Sequence, residues 1–158
     1  MKTHKLNLDD TFEEEFHIFA VYSDEEAYRL AFLLNQHLSI QLKKADSIVT
    51  KKEQTEFLTF EYDQIELFLN WLLIHNHSLS EKEVQKPDDL FSQDSGLYHQ
   101  KTYLIKELKK ARFILKVNGE FSNNQLLLLS EKLQNIPQIY AIELVNLTQF
   151  KDNQLLSF

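Results

Sequence analysis

Phe16-His-Ile-Phe-Ala-Val-Tyr22 runs directly into Ser23-Asp-Glu-Glu-Ala-Tyr-Arg-Leu-Ala-Phe-Leu-Leu-Asn-Gln-His-Leu38, and the junction between these segments decides the fold. The first is apolar on both alternating sets, with Phe16, Ile18, Ala20 and Tyr22 opposing His17, Phe19 and Val21. That is the pattern of a strand covered on both faces, which places it inside a sheet. The second opens on Ser23 with Glu26 three residues later, the spacing of a capping box. Asp24 and Glu25 then fall where the helix dipole favours negative charge. Helix initiation therefore accounts for the acidic cluster without a catalytic role. Ala27, Leu30, Ala31, Leu34 and Leu38 form one helical stripe, predicted to pack on the sheet. Tyr28, Phe32 and Leu33 fall outside it and require a second partner, either another helix or a second subunit.

The same order of signals returns near the carboxyl end. Ala111-Arg-Phe-Ile-Leu-Lys-Val117 alternates with Phe113, Leu115 and Val117 on one side, and Gly119 supplies a turn. Ser122-Asn-Asn-Gln125 has capping-box spacing, Leu126, Leu129, Leu133 and Ile136 make a stripe, and Pro137 stops the helix. Gln138 to Val145 then reads as a strand. Leu127 and Leu128 lie off the stripe, as Tyr28 and Phe32 do. Two such β-α-β halves imply an α+β fold, with a mostly antiparallel sheet of about five to seven strands and two helices on one face. The nearest analogy is a ferredoxin-like or ACT-type module.

Between the halves, Glu56 to Tyr62 reads as a strand. Ile65 to Ile74 reads as a buried strand hairpinned to it, although Asp63 and Glu66 also have the capping-box spacing of a helix. Tyr98 to Leu108 is expected to contain a further strand, followed by a turn at Lys109-Lys110. Ser78 to Gln100 is polar, carries Pro87 and Gly96, and reads as a long loop over about 78–98, with Leu90 and Phe91 as candidates to pin it.

The 158 residues fit a single domain, and 43% apolar against 26% charged residues is the composition of a globular protein. A net charge of -7 argues against a nucleic-acid surface, which needs clustered Lys and Arg. The basic groups Lys43, Lys44, Lys51 and Lys52, and Lys101, Lys106, Lys109 and Lys110, read as solvated faces or strand edges. No apolar run approaches the roughly 20 residues of a membrane span, and the amino terminus lacks a signal-peptide core. The absence of cysteine removes disulfides, thiolate metal sites and Cys nucleophiles. A cytoplasmic location is expected.

Three islands resemble a bacterial family of unassigned function known by the motif Ile-Pro-Glu-x-x-x-Val-Asp-Tyr (IPExxxVDY). They are Lys5 to Asp10 with Tyr28 to Asn35, Trp71 to Ser78, and Tyr103 to Val117. Ile105, Glu107 and Phe113 mark the motif positions: Ile105 and Glu107 match it, while Lys106, Ala111, Arg112 and Phe113 stand where it has Pro, Val, Asp and Tyr. The resemblance implies α+β order and a small cytoplasmic protein, and it implies no reaction.

Reactive signatures are sparse. His75 and His77 flank Asn76, so on a strand both imidazoles would share a face, but no third ligand stands near them and the expectation is no metal. His4, His17, His37 and His99 are scattered. Glu13 to Glu15 and the pair Asp88 and Asp89 read as solvated charge, and Glu107 among its lysines as an ion-paired residue. With two glycines in the chain, phosphate-cradling and dinucleotide fingerprints are absent, as is a Gly-x-Ser-x-Gly elbow. No cofactor is expected.

The foremost functional expectation is a noncatalytic domain working through protein contacts as a homodimer or with another protein partner, with Tyr28, Phe32, Leu127 and Leu128 as the candidate interface. The second is a regulatory domain sensing an amino acid-like small molecule, and the third an enzyme using scattered carboxylates with His75 or His77.

Overall fold

The computed structural model describes residues 15–49, 55–78 and 102–149. Expectations for positions 1–14, 50–54, 79–101 and 150–158, including those on the long polar loop, lie outside the described residues.

The chain forms strand β1 (Phe16–Ser23), helix α1 (Ala27–Leu38), strands β2 (Lys43–Lys44), β3 (Ile48–Val49), β4 (Glu56–Phe57), β5 (Thr59–Gln64), β6 (Leu69–His75) and β7 (Phe113–Asn118), helix α2 (Asn123–Gln134) and strand β8 (Ile139–Leu144). Six strands make one sheet in the order β2-β5-β6-β7-β1-β8, with every neighbouring pair antiparallel, and β3 and β4 make a separate two-stranded ribbon. The α+β expectation of an antiparallel sheet with two helices holds. In the second half, α2 carries the chain from β7 to β8 across the intervening β1, so β1 is paired on both sides. In the first half, α1 leads from β1 to the opposite edge, where Lys43 and Lys44 pair with Glu61 and Phe60.

One sheet face carries the helices. Phe19 and Val21 of β1, Trp71 and Leu73 of β6, and Phe113, Leu115 and Val117 of β7 pack with Leu30, Leu33 and Leu34 of α1 and Leu126, Leu129 and Leu133 of α2. Full burial of one such side chain contributes about 1.5–3 kcal/mol, so this layer is the main source of stability. Leu33, expected off the stripe, is buried in the same core, so the buried arc of α1 is wider than its stripe. Asn35 reaches from α1 to both backbone groups of Leu42, accepting from its N–H at 2.7 Å and donating to its carbonyl at 3.1 Å.

The two helix starts differ. At α2 the reciprocal box forms as expected: Ser122 Oγ accepts from Gln125 N–H and Gln125 Oε1 accepts from Ser122 N–H. At α1 it does not, and the helix begins at Ala27 with Glu26 as the flanking residue. Ser23 remains in β1, fully buried, and its hydroxyl donates to the Gln138 carbonyl at 2.7 Å while accepting from Glu25 N–H. A long-range bond to the residue before β8 thus holds Ser23 in the strand, and its oxygen serves the connection rather than the helix. Asp24, Glu25 and Glu26 become a connection, and Glu25 pairs with Arg29 at 3.1 Å.

The hairpin at positions 65–74 also differs in detail. Its strand is Leu69–His75, whereas Ile65–Leu67 forms a 3-10 turn and Phe68 adopts a left-handed conformation at φ 54°, so Ile65, Leu67 and Phe68 project into solvent rather than into a core. Gly119, at φ 131°, is required where the end of β7 approaches this hairpin: a Cβ there would run into the Leu69 side chain and the Phe68 carbonyl oxygen.

Among the described residues, the second face is covered without an α-helix. The expected strand before Leu108 is replaced, among the described residues, by a single bridge between Tyr103 and His77 and a 3-10 turn at Lys106–Leu108. Ile105, Leu108 and Ala111 from this segment pack with Ile18, Ile74 and Ile114, joined by Phe57 and Val145. The cause of the turn is Asn76, a fully buried residue. Its amide nitrogen donates to the carbonyls of Ile105, Leu108 and Ala111 at 3.4, 3.0 and 3.1 Å, and its oxygen accepts from Ile105 N–H at 2.9 Å. A strand could not turn three carbonyls towards one point.

Asn76→Ala strands several buried backbone groups at once and is expected to destabilise the protein by about 3 kcal/mol or more, measured by chemical denaturation. Asn76→Asp, which replaces the donor with a charge facing carbonyl oxygens, should be no milder.

Candidate functional site

The side chains singled out by sequence fall into separate places. His75 ends β6 and His77 follows it, with ring centroids 5.4 Å apart, so the two imidazoles do come together. Phe113 packs against His75 at 5.2 Å and Tyr103 meets His77 nearly perpendicularly at 4.9 Å. His75 Nδ1 lies 3.1 Å from the His77 carbonyl oxygen and Nε2 lies 3.5 Å from Arg112 Nε. A carbonyl only accepts, so these contacts assign the ring hydrogen to Nδ1 and leave the Nε2 lone pair to accept from the guanidinium. Arg112 also donates through Nη1 to the Asp24 carbonyl at 2.9 Å, tying β7 to the connection after β1.

This arrangement disfavours both chemistries that the pair suggested. The Nε2 lone pair of His75 faces a permanent cation, which repels a metal ion, and among the described residues no group of three His, Asp or Glu side chains is placed to hold one. Burial, then the adjacent His77 and Arg112, push the His75 pKa down from 6.5 to about 4. The ring is neutral at physiological pH and poorly suited as a proton acceptor there.

The motif positions divide. Ile105 and Phe113 are buried core residues, so their chemistry is packing. Glu107 is exposed, and it forms no ion pair with Lys106, Lys109 or Lys110, contrary to the expectation of an ion-paired residue. It lines a shallow hollow of about 340 Å³ together with Tyr22, Lys109, Lys110 and Glu143. There Tyr22 donates to Glu143 Oε2 at 3.3 Å, and burial, followed by the Glu143 charge, raises its pKa above the ordinary tyrosine value. It therefore stays protonated at neutral pH.

A larger basin of about 720 Å³ opens at the opposite end of the sheet. It is walled by the hairpin tip from Asp63 to Asn70, by Asn118, Gly119 and Glu120, and by Glu15. Its lining residues Asn118, Asn70 and Asp63 are linked: Asn118 donates to Asn70 at 2.9 Å, and Asn70 donates to Asp63 at 2.6 Å and to Glu61 at 2.8 Å. Sequence reading missed this basin, since it depends on the αL residue Phe68 (88% exposed), which sits inside an apparently continuous apolar run.

The candidate interface residues all remain outside the core: Tyr28, Phe32, Leu127 and Leu128 are 57%, 64%, 63% and 58% exposed. Contact between α1 and α2 does not cover them. Tyr28 instead meets Phe60 of β5 at 5.1 Å, so α1 turns this flank towards the β5 side of the sheet. Tyr140 and Leu144 on β8 are further exposed apolar residues that periodicity had assigned to an ordinary strand.

Because unfolded histidine titrates near 6.5, the unfolded chain binds a proton at His75 between about pH 6.5 and 4 that the folded chain does not. This contribution to stability is complete above that window and lost progressively as pH falls through it. His75→Gln should flatten the decline in Tm over the same range, as measured by thermal denaturation of both proteins in matched buffers.

Compared with known proteins, the chain matches no protein-family model and no curated protein.

Proposed function

We propose that this chain is a noncatalytic interaction domain that acts by associating with a second copy of itself. The observation that carries the reading is the surplus of apolar surface on the helix layer: Tyr28, Phe32, Leu127 and Leu128 stay exposed after the sheet face and the helix pair have been packed. Scattered apolar residues are ordinary on a surface, but four large ones on two short helices with a fully packed underside favour a further layer. The polar groups add support, since His75, Arg112, Tyr22 and Ser23 are each engaged in holding elements together rather than converging on a reactive centre. Membership of the IPExxxVDY family and a cytoplasmic location belong to the same proposal. In that reading the Ile105 and Phe113 positions serve packing.

Light scattering across a dilution series is expected to show a concentration-dependent shift from dimer to monomer. A mass equal to one chain at every concentration would overturn the reading.

The basin beside the β5-β6 hairpin favours a second reading, a sensor for a small cationic or amino acid-like molecule, because amide and carboxylate groups there sit beside the exposed Ile65 and Phe68. A thermal-shift screen with amino acids and amines separates it from the first. A ligand present at 100 times its Kd should add about 2.7 kcal/mol of stability, whereas an unchanged Tm throughout would remove this reading.

A further inference from the structure

The two edges of the main sheet are built differently. The β2 edge is two residues long and both are lysine, a combination that discourages further strand pairing. The β8 edge is six residues long, carries no proline or lysine, and bears exposed Tyr140 and Leu144. Its register supplies the direction of every backbone group. Val145 N–H donates to the Ile18 carbonyl, so Ile18 and Val145 are a hydrogen-bonded pair, and the antiparallel alternation makes Phe19 with Leu144 and Val21 with Ile142 non-hydrogen-bonded pairs. The N–H and C=O groups of Ile142 and Leu144 therefore point away from β1 and out of the sheet. No backbone partner is found for them among the described residues.

We infer that this edge is where the second copy docks: β8 pairs antiparallel with β8 of an identical chain, and two six-stranded sheets join into one. This rests on the self-association reading above and names its surface. A twofold axis perpendicular to the sheet keeps both helix layers on the same side and requires residues to face each other in registers centred on a residue. Centring on Glu143 would set two carboxylates opposite each other, which is destabilising. Centring on Ile142 places its outward N–H and C=O against those of its copy and sets Glu143 opposite Ala141. The strand can thus pair with its own copy without setting like charges opposite each other.

Strand pairing alone falls short of the roughly 800 Å² per partner that stable complexes bury. The helix layer can supply the remainder. Helix α2 contacts α1 and packs over β8, the last strand, so the side of α2 away from α1 overhangs the open edge. Leu127 and Leu128, about 100° apart on that helix, are its exposed apolar residues. They lie about 130° to either side of the buried stripe of Leu126, Leu129 and Leu133, so one of the two faces the open edge and joins the interface. Tyr28, which meets Phe60 of β5, and Phe32 belong to α1, which is remote from β8, and do not join it.

The test compares Leu144→Pro with Phe32→Ser by light scattering over a dilution series, with circular dichroism to establish folding. Proline is tolerated at an edge position whose N–H faces outward, but it removes one inter-chain donor from each copy. Leu144→Pro is expected to weaken dimerisation by about tenfold or more while Phe32→Ser leaves it unchanged. If Leu144→Pro dimerises like the parent, or Phe32→Ser dissociates instead, the β8 surface is wrong while self-association stands. A parent that is always monomeric overturns both. If Leu144→Pro fails to fold, amide exchange in the parent decides: slower exchange of the Ile142 and Leu144 N–H groups at higher protein concentration supports the pairing, and concentration-independent exchange overturns it.

Discussion

The amide of Asn76 is the interaction on which the second half of the core depends. One buried NH2 and one buried oxygen engage the backbone of Ile105, Leu108 and Ala111, and the Asn76 backbone adds a bond from its N–H to the Arg112 carbonyl and one to its own carbonyl from Leu104 N–H. An amide excluded from water has no alternative partners, so the turn and the residue stabilise each other. The consequence is cover for Ile18, Ile74 and Ile114, which would otherwise face solvent on the side of the sheet opposite the helices. Two further bonds close the start of this arrangement, from Ser78 N–H to the Thr102 carbonyl and from Thr102 N–H to Ser78 Oγ.

With both faces covered, β1 and β7 behave as core strands and the remaining freedom of the molecule lies at its periphery. The helix layer is the broader cover, and its underside is filled by leucines at helical spacing. Its outer surface retains apolar side chains, and the β8 edge retains outward backbone groups. These features support an interaction role more directly than any group of ionisable residues does. The hairpin tip at Ile65, Leu67 and Phe68 is another exposed apolar feature, shaped by a left-handed residue and by the need for Gly119 to pass closely beside it.

Polar side chains are largely absorbed by the architecture. His75 bridges Arg112 and the carbonyl of His77, Arg112 extends to Asp24, and Ser23 reaches Gln138. Apart from the local contact between His75 and His77, these bonds join segments distant in the chain. Burial first, then the neighbouring His77 and Arg112, keeps the His75 ring neutral within this arrangement.

What the sequence determined by itself was the part of the structure governed by local periodicity and short-range bonds. The two-sided apolar pattern of β1, the alternation of β7, the leucine stripe of α2 and the box between Ser122 and Gln125 all involve residues a few positions apart, and all are found. So did the lysine edge at Lys43 and Lys44. Only the tertiary structure decided the rest, because there a side chain had a better partner far away. Ser23 had the spacing to cap α1, but it is held in β1 by donating to a carbonyl 115 residues distant, and its oxygen accepts from Glu25 N–H instead of from the first turn of the helix. The segment before Leu108 had strand-like residues, but Asn76 drew its carbonyls inward. Sheet order likewise depends on which strands bury their faces together, so the exposed β8 edge and the separation of Tyr28 and Phe32 from it have no counterpart in local pattern.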